Sequence, residues 1–417
     1  MTNPKLRFRE PEGMVFANWE KTTLGELSMV SNGCSFPVSI QGENTAEVPF
    51  HKVSSMNLRG NEKTLISADN YVSSQTITTE GLKPFKAPGI VFAKVGAALL
   101  LDRKRIVYPP YLIDNNMMAV TPNEKCDLNF IYTLLCRTRL ASLTQVGALP
   151  SINTTQVREL EISVPEKREQ RRIADFFTTF DEKIALAERK LAALQTLKSG
   201  LMQKIFSQEI RFKREDGSDF SIWKKTFLGQ VGNLRGRIGF RGYTRADITT
   251  KEEGVIALAP GSISDGHVNL EEGTYITHEK YEESPEIKVT KDDILFTKTG
   301  STVGKIGLVD RGDIEATVNP QIALITVNKK QAEAYFVYSY LQSPTAQRYV
   351  TAIVVGGAIP TLSQQELKAM PVPLIDHAEQ RDIAHLFLHI DKRIRCSKQK
   401  LLLLKKMKQA FMQQMFV

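Results

Sequence analysis

Three short stretches of this 417-residue chain carry residue types that could do chemistry on a nucleotide or a nucleic acid. Tyr108–Tyr111 reads YPPY, Gly300–Gly307 reads GSTVGKIG, and Leu234–Arg245 reads LRGRIGFRGYTR. A Pro-Pro turn before an aromatic ring can hold a target amine for methyl transfer when an acidic or amide residue stands first. Tyr108 takes that place here, and no upstream glycine-rich strand–turn–helix could hold S-adenosylmethionine. The GSTVGKIG loop is one residue short of a phosphate-wrapping GxxxxGK[ST], and Ile306 stands where a hydroxyl would bind magnesium. There is no HExxH and no GxSxG, and the six histidines stand singly. Cys34, Cys126, Cys136 and Cys396 form no CxxC pair, which suits reduced thiols rather than zinc or a disulfide framework. No catalytic residue, metal or cofactor site is therefore expected in this chain.

Recognition chemistry is better represented. Arg235, Arg237 and Arg241 lie among glycines with Tyr243 close by, and Arg103, Lys104 and Arg105 form a second basic cluster. Lys94 sits in AKVG, and Lys298, Thr299, Ser301 and Lys305 share TKTGSTVGK. Glycine lets a backbone approach closely, and arginine can fork onto a phosphate or the O6/N7 edge of guanine. A net charge of +9 makes double-stranded DNA a plausible partner. The plain alternative for each cluster is a solvated loop.

The elements that must position these residues occur twice. EQRRIADFF begins at Glu169 and EQRDIAHLF at Glu379, 210 positions on, and the match runs without slippage from Gly147/Gly357 to Phe206/Phe416. Earlier parts align at a shift of 204: WEKTTLG with WKKTFLG, GIVFAKVG with DILFTKTG, and NNMMAV with NPQIAL. A period this long describes a whole domain plus a connector, duplicated in tandem. The domain copies alternate short strand-like runs with polar, glycine-rich loops, and one helix follows near the end of each (129–146 and 334–350), an α+β body. The connectors read as long helices with apolar residues at a 4-3-4-3 spacing. These are Ile173, Phe177, Phe180, Ile184, Ala187, Leu191 and Leu194, then Ile383, Phe387, Ile390, Ile394, Ser397, Leu401 and Leu404. Such a stripe is a coiled-coil seam, and each connector's natural partner is the other. A long helix lying on its own domain is the alternative. Negative charge at Glu169 and Glu379 suits a helix start.

Taken together, the opening PKLRF…W…TTLGEL, the block GALPSINTTQVRELEISVPEKREQRRIADFF and its copy GAIPTLSQQELKAMPVPLIDHAEQRDIAHLF resemble the DNA-specificity subunit of type I restriction–modification systems. The resemblance covers essentially the whole chain. It implies target-recognition domains at 15–164 and 219–374, and helical spacers at 165–207 and 375–417 that pack as an antiparallel coiled coil with pseudo-two-fold symmetry. It also implies that each domain reads half of a bipartite site, that methyltransferase subunits (two of them) dock on the helices, and that restriction motor–nuclease subunits join for cleavage. S-adenosylmethionine, ATP and Mg would belong to those partners. A single-chain DNA methyltransferase or nuclease would need a cofactor or metal constellation not found here, and a coiled-coil adaptor binding only protein is the other rival. The opening MTNPKLRFREPEG has no apolar h-region and no run could span a bilayer, so a cytoplasmic location with no membrane partner is expected.

Overall fold

The computed structural model describes residues 3–10, 12–144, 150–237, 242–313, 315–354 and 360–417. The chain divides into two compact units, Met1–Glu188 with Lys400–Val417, and Arg189–Gln399.

In the first unit the central sheet orders Ser28–Asn32, Met117–Pro122, Gly89–Ala93 and Lys104–Val107, all antiparallel. Gly89–Ala93 is buried at every position, because both faces of this sheet are covered. Ile90, Phe92, Met118 and Val120 face a core shared with the helix Leu128–Arg137. Val91, Met117 and Ala119 alternate to the opposite face with Tyr111 and Ile113. A smaller sheet orders Tyr71–Val72, Val48–His51 and Leu112–Ile113, and a strand pair joins Glu20–Thr23 to Glu161–Val164.

The second unit repeats this plan. Gly232–Arg235, Ile322–Val327, Ile294–Thr297 and Ile306–Leu308 are neighbours in that order, extended by His267–Val268 and Ile263–Ser264. Ile294 and Phe296 enter one core and Leu295 another. Two expectations need correction. Ala93 pairs with Met117, and Thr297 pairs with Ile322, so the NNMMAV strand and its copy correspond at an offset of 205, not 204. A one-residue slip in a strand would turn every side chain to the wrong face, so the ladder decides the matter. The helix expected over 334–350 is two, Ala334–Gln342 and Pro344–Ile353. Pro344 cannot continue the first, and the Ser343 side chain accepts from the Ala346 N–H to start the second. Likewise 129–146 holds the helix Leu128–Arg137 and then a 3-10 turn, Leu140–Leu143.

The connectors are single helices, Lys167–Phe206 and His377–Met415, and each continues from one unit into the other. Within the first unit, the early part of the first long helix meets the late part of the second: Phe176 and Phe180 lie 5.2 and 5.6 Å from Phe411, ring to ring. Within the second unit the pairing is reversed, with Phe206 stacked on Phe387 at 6.0 Å. The pairing is therefore antiparallel. Two ion pairs mark it: Lys408–Asp181 at 2.5 Å in the first unit and Lys198–Asp391 at 2.8 Å in the second. Asp181 matches Asp391 and Lys198 matches Lys408 in the duplicated sequence, so one contact is made twice with the helices exchanging roles. Ile173, Phe177, Leu194, Ile383, Phe387 and Ile390 are buried, whereas Phe180, Ile184, Leu191, Ile394, Leu401 and Leu404 are half-buried.

The repeated Glu-Gln at the helix starts does more than complement a dipole. Glu169, fully buried, accepts two hydrogen bonds from Arg7 at 2.6 and 3.0 Å and one from the Trp19 indole at 3.2 Å. Glu379 repeats the arrangement with Arg211 at 2.9 and 3.2 Å and Trp223 at 3.0 Å. Gln170 donates to Pro165 O and accepts from Asp127 N; Gln380 donates to Ile375 O and accepts from Glu333 N. These buried polar groups pin each long helix to the unit it follows, and they are tolerable only because every charge is met.

Candidate nucleic-acid interface

Strands Gly89–Ala93 and Ile294–Thr297 each run out into a lysine whose backbone is gripped the same way. Lys94 N donates to Asn116 O at 2.9 Å, and its carbonyl accepts from Ile152 N at 2.9 Å. Lys298 N donates to Gln321 O at 2.8 Å, and its carbonyl accepts from Leu362 N at 2.7 Å. The Asp114 and Asn319 side chains fix the facing turns by accepting from Asn116 N and Gln321 N at 2.9 and 3.0 Å. Two residues past each lysine, Gly96 and Gly300 hold φ of 72° and 104° and donate to Pro150 O and Pro360 O. Only glycine takes this conformation cheaply, so the glycine of GSTVGKIG that recurs in KVGAALLLD serves a backbone turn, not a phosphate loop.

The side chains at these matched places differ. Lys94 Nζ donates to Asn32 Oδ1 at 2.8 Å. The position equivalent to Asn32 is Gly236, and Lys298 Nζ lies 3.6 Å from where a Cβ there would sit. Among the described residues no acceptor meets Lys298 Nζ, and burial pushes its pKa below the usual lysine value. Ser301 is exposed, Thr299 is half-buried beside Thr361, and Lys305 turns back to donate to Pro260 O at 3.0 Å. In the first unit a cavity of about 790 Å³ opens beside Asn32, with Lys83 and Lys86 in its wall.

The arginine clusters are engaged within their own units. Arg237 is buried, donates to Val318 O and Thr317 Oγ1 at 3.0 Å each, and lies over the Tyr243 ring at 5.7 Å. Arg235 donates to Thr326 Oγ1, and Arg103 to Asn57 Oδ1. Lys104 is 2% exposed; it donates to Thr138 O at 2.9 Å and pairs with Asp102 at 2.6 Å. Arg105 donates to Lys104 O at 2.8 Å. Arg241 lies outside the described residues. The structure thus brings Lys298, Thr299 and Ser301 together at one strand end with Lys94 at its counterpart, and engages the Arg103–Arg105 cluster in bonds within the first unit, that of Arg103 at the surface. The sequence reading missed Asn32 and Gly236; the 204 shift, which sets SNG against RGR, carried that signal.

Among the described residues no group of three or more His, Cys, Asp or Glu could hold a metal ion, and no helix is long and apolar enough to cross a membrane.

The family described as type I restriction modification DNA specificity domain matches residues 17–196 and again 221–406. Curated relatives include the type I restriction enzyme MjaVIII specificity subunit of Methanocaldococcus jannaschii, 22% identical over 294 residues, which are 68% of this chain and 68% of that one. The type I restriction enzyme EcoBI specificity subunit of Escherichia coli is 22% identical over 400 residues, 90% of this chain and 80% of that one. Among solved structures, the type I restriction–modification S subunit from M. genitalium superposes with a TM-score of 0.64 at 17% identity, over 100% of this chain and 99% of that one. This last likeness supports the fold.

Proposed function

The chain belongs to the type I restriction modification DNA specificity family, and from that premise we propose that it reads a bipartite site in double-stranded DNA, one half per unit. The observation that supports this reading best is the doubled lysine framework: one strand end per unit, gripped by the same backbone bonds and carrying different side chains. A duplicated catalytic loop would keep its reactive groups, whereas a duplicated reader is free to change them. The part taken by this chain is recognition rather than catalysis, in keeping with relatives named as specificity subunits.

The chemistry belongs to partners: methyltransferase subunits, two of them, and restriction motor–nuclease subunits, which bring S-adenosylmethionine, ATP and Mg. Leu186, Leu197, Leu402 and Leu403 lie off the seam of the long helices and are more than half or about half exposed. Exposed apolar side chains of this kind, in each unit, support the helices as the methyltransferase dock. Such an assembly works in the cytoplasm.

Two experiments test this reading. Purified chain with its methyltransferase subunit should shift duplex DNA in a gel, with affinity falling steeply as salt rises. Salt-independent binding, or none, would favour a protein-only adaptor. Because the helices pair antiparallel, removing one heptad from each removes about 10 Å of paired rod. Methylome sequencing of cells carrying that variant should show the same two half-sites across a gap shortened by about three base pairs. An unchanged gap with altered bases would rule out the helices as the spacer.

A further inference from the structure

We infer that the two units engage DNA unequally, with Lys298 the ammonium that donates to an acceptor oxygen of the DNA and Asn32 a side chain that withholds its counterpart, Lys94. This rests on the reading of the chain as a DNA-binding subunit. The backbone bonds that hold the two lysines and the glycines after them are matched, so the difference lies in the neighbouring side chains, first of all at the position of Asn32 and Gly236. Where Asn32 offers an amide oxygen at 2.8 Å, Gly236 offers nothing, and its missing side chain leaves room in front of Lys298 Nζ.

A half-buried ammonium with no acceptor is costly to maintain in a protein by itself. Its neighbours point the same way. Thr299 and Ser301 supply hydroxyls rather than carboxylates. Burial also lowers the lysine's pKa, as expected for a cation kept from water. Lys94, by contrast, already has its hydrogen bond, and contact with DNA would require breaking it.

The position of Gly236 makes the inference reversible. Its φ lies outside the left-handed region, and a Cβ there would meet Ile322 O at 3.3 Å, so that carbonyl must give by a few tenths of an ångström to admit a side chain. Gly236→Asn should therefore tether Lys298 as Asn32 tethers Lys94, whereas Gly236→Ala adds the Cβ without the amide and controls for folding.

The experiment measures binding of the full chain, with its methyltransferase subunit, to a duplex carrying the site found by methylome sequencing and to a duplex lacking it, across a salt series. Lys298→Ala should weaken binding about tenfold and reduce the slope of log K against log salt by about one. Gly236→Asn should do the same in direction, and Gly236→Ala should stay near wild type. Lys94→Ala should change binding less than threefold, and Asn32→Ala should tighten it. Equal loss on both duplexes identifies a phosphate oxygen; loss confined to the specific duplex, with one half-site relaxed, identifies a guanine edge. Wild type that binds with salt dependence, alongside Lys298→Ala and Gly236→Asn variants that match it, would overturn the inference and leave the DNA-binding reading intact. Wild type that does not bind DNA would overturn both.

Discussion

Arg211→Leu is expected to destabilise the second unit by about 3–5 kcal/mol, a loss large enough to threaten its folding. Glu379 has no exposed surface, and Arg211 supplies its counter-charge through two hydrogen bonds. Without Arg211 the carboxylate keeps, among the described residues, only the Trp223 indole, which is neutral. The buried charge must then be borne uncompensated or neutralised by a proton, and either is expensive. The double variant Arg211→Leu, Glu379→Gln should recover much of the loss, because an uncharged amide can still accept from the indole. The chain has two tryptophans, one in each unit. In a Trp19→Phe background, urea unfolding followed by Trp223 fluorescence reports on the second unit alone. A loss under about 1 kcal/mol would mean that Glu379 is hydrated in the folded protein.

Phe416→Ala should cost a similar amount, about 3–5 kcal/mol, but in the other unit. Phe416 is 3% exposed and packs against Trp19, Phe130 and Phe177 at centroid distances of 6.1, 5.6 and 5.9 Å. Its equivalent, Phe206, fills the corresponding place among Trp223, Phe336 and Phe387 in the second unit. In a Trp223→Phe background, Trp19 fluorescence should therefore register Phe416→Ala, a change nearly 400 residues along the chain. If Trp19 did not respond, while Trp223 responded to Phe416→Ala in a Trp19→Phe background, the assignment of Lys400–Val417 to the first unit would be wrong.

The parts of this fold legible in the sequence were those written with a period. The 210-residue repeat and the 4-3-4-3 stripe each leave many residues in agreement, so the two helices and their pairing could be read from Ile173, Phe177 and their copies. Features that depend on one or two residues were harder to see. Pro344 and Ser343 do announce a helix break, but the surrounding apolar run masked it. The 205 offset arises from a single additional residue between strands, invisible until the ladder pairs Ala93 with Met117 and Thr297 with Ile322. Among the candidate contacts, charge and spacing could not separate Lys298 from Lys104. Both are lysines in strand-and-loop surroundings, yet one meets Asp102 and Thr138 O inside the protein and the other meets no acceptor among the described residues. Burial of Glu169 by Arg7 and Trp19 was encoded too, in the recurrence of Arg-Phe and Trp at a shift of 204, but its meaning needs the third dimension.

The first unit takes its last pieces of core, Met415 and Phe416, from the far end of the chain. A ribosome therefore delivers residues up to Glu188 long before that core can close. At about 5–20 residues per second the wait is roughly 10–45 s, during which Trp19 and Phe177 lack the ring that covers them. Local strands can pair in that interval, but the apolar ends of the first long helix remain open to misassociation. The second unit needs only Arg189–Gln399, so it can close while the first still waits. The order of maturation is the reverse of the order of synthesis, because Phe416 must emerge before the first core can close.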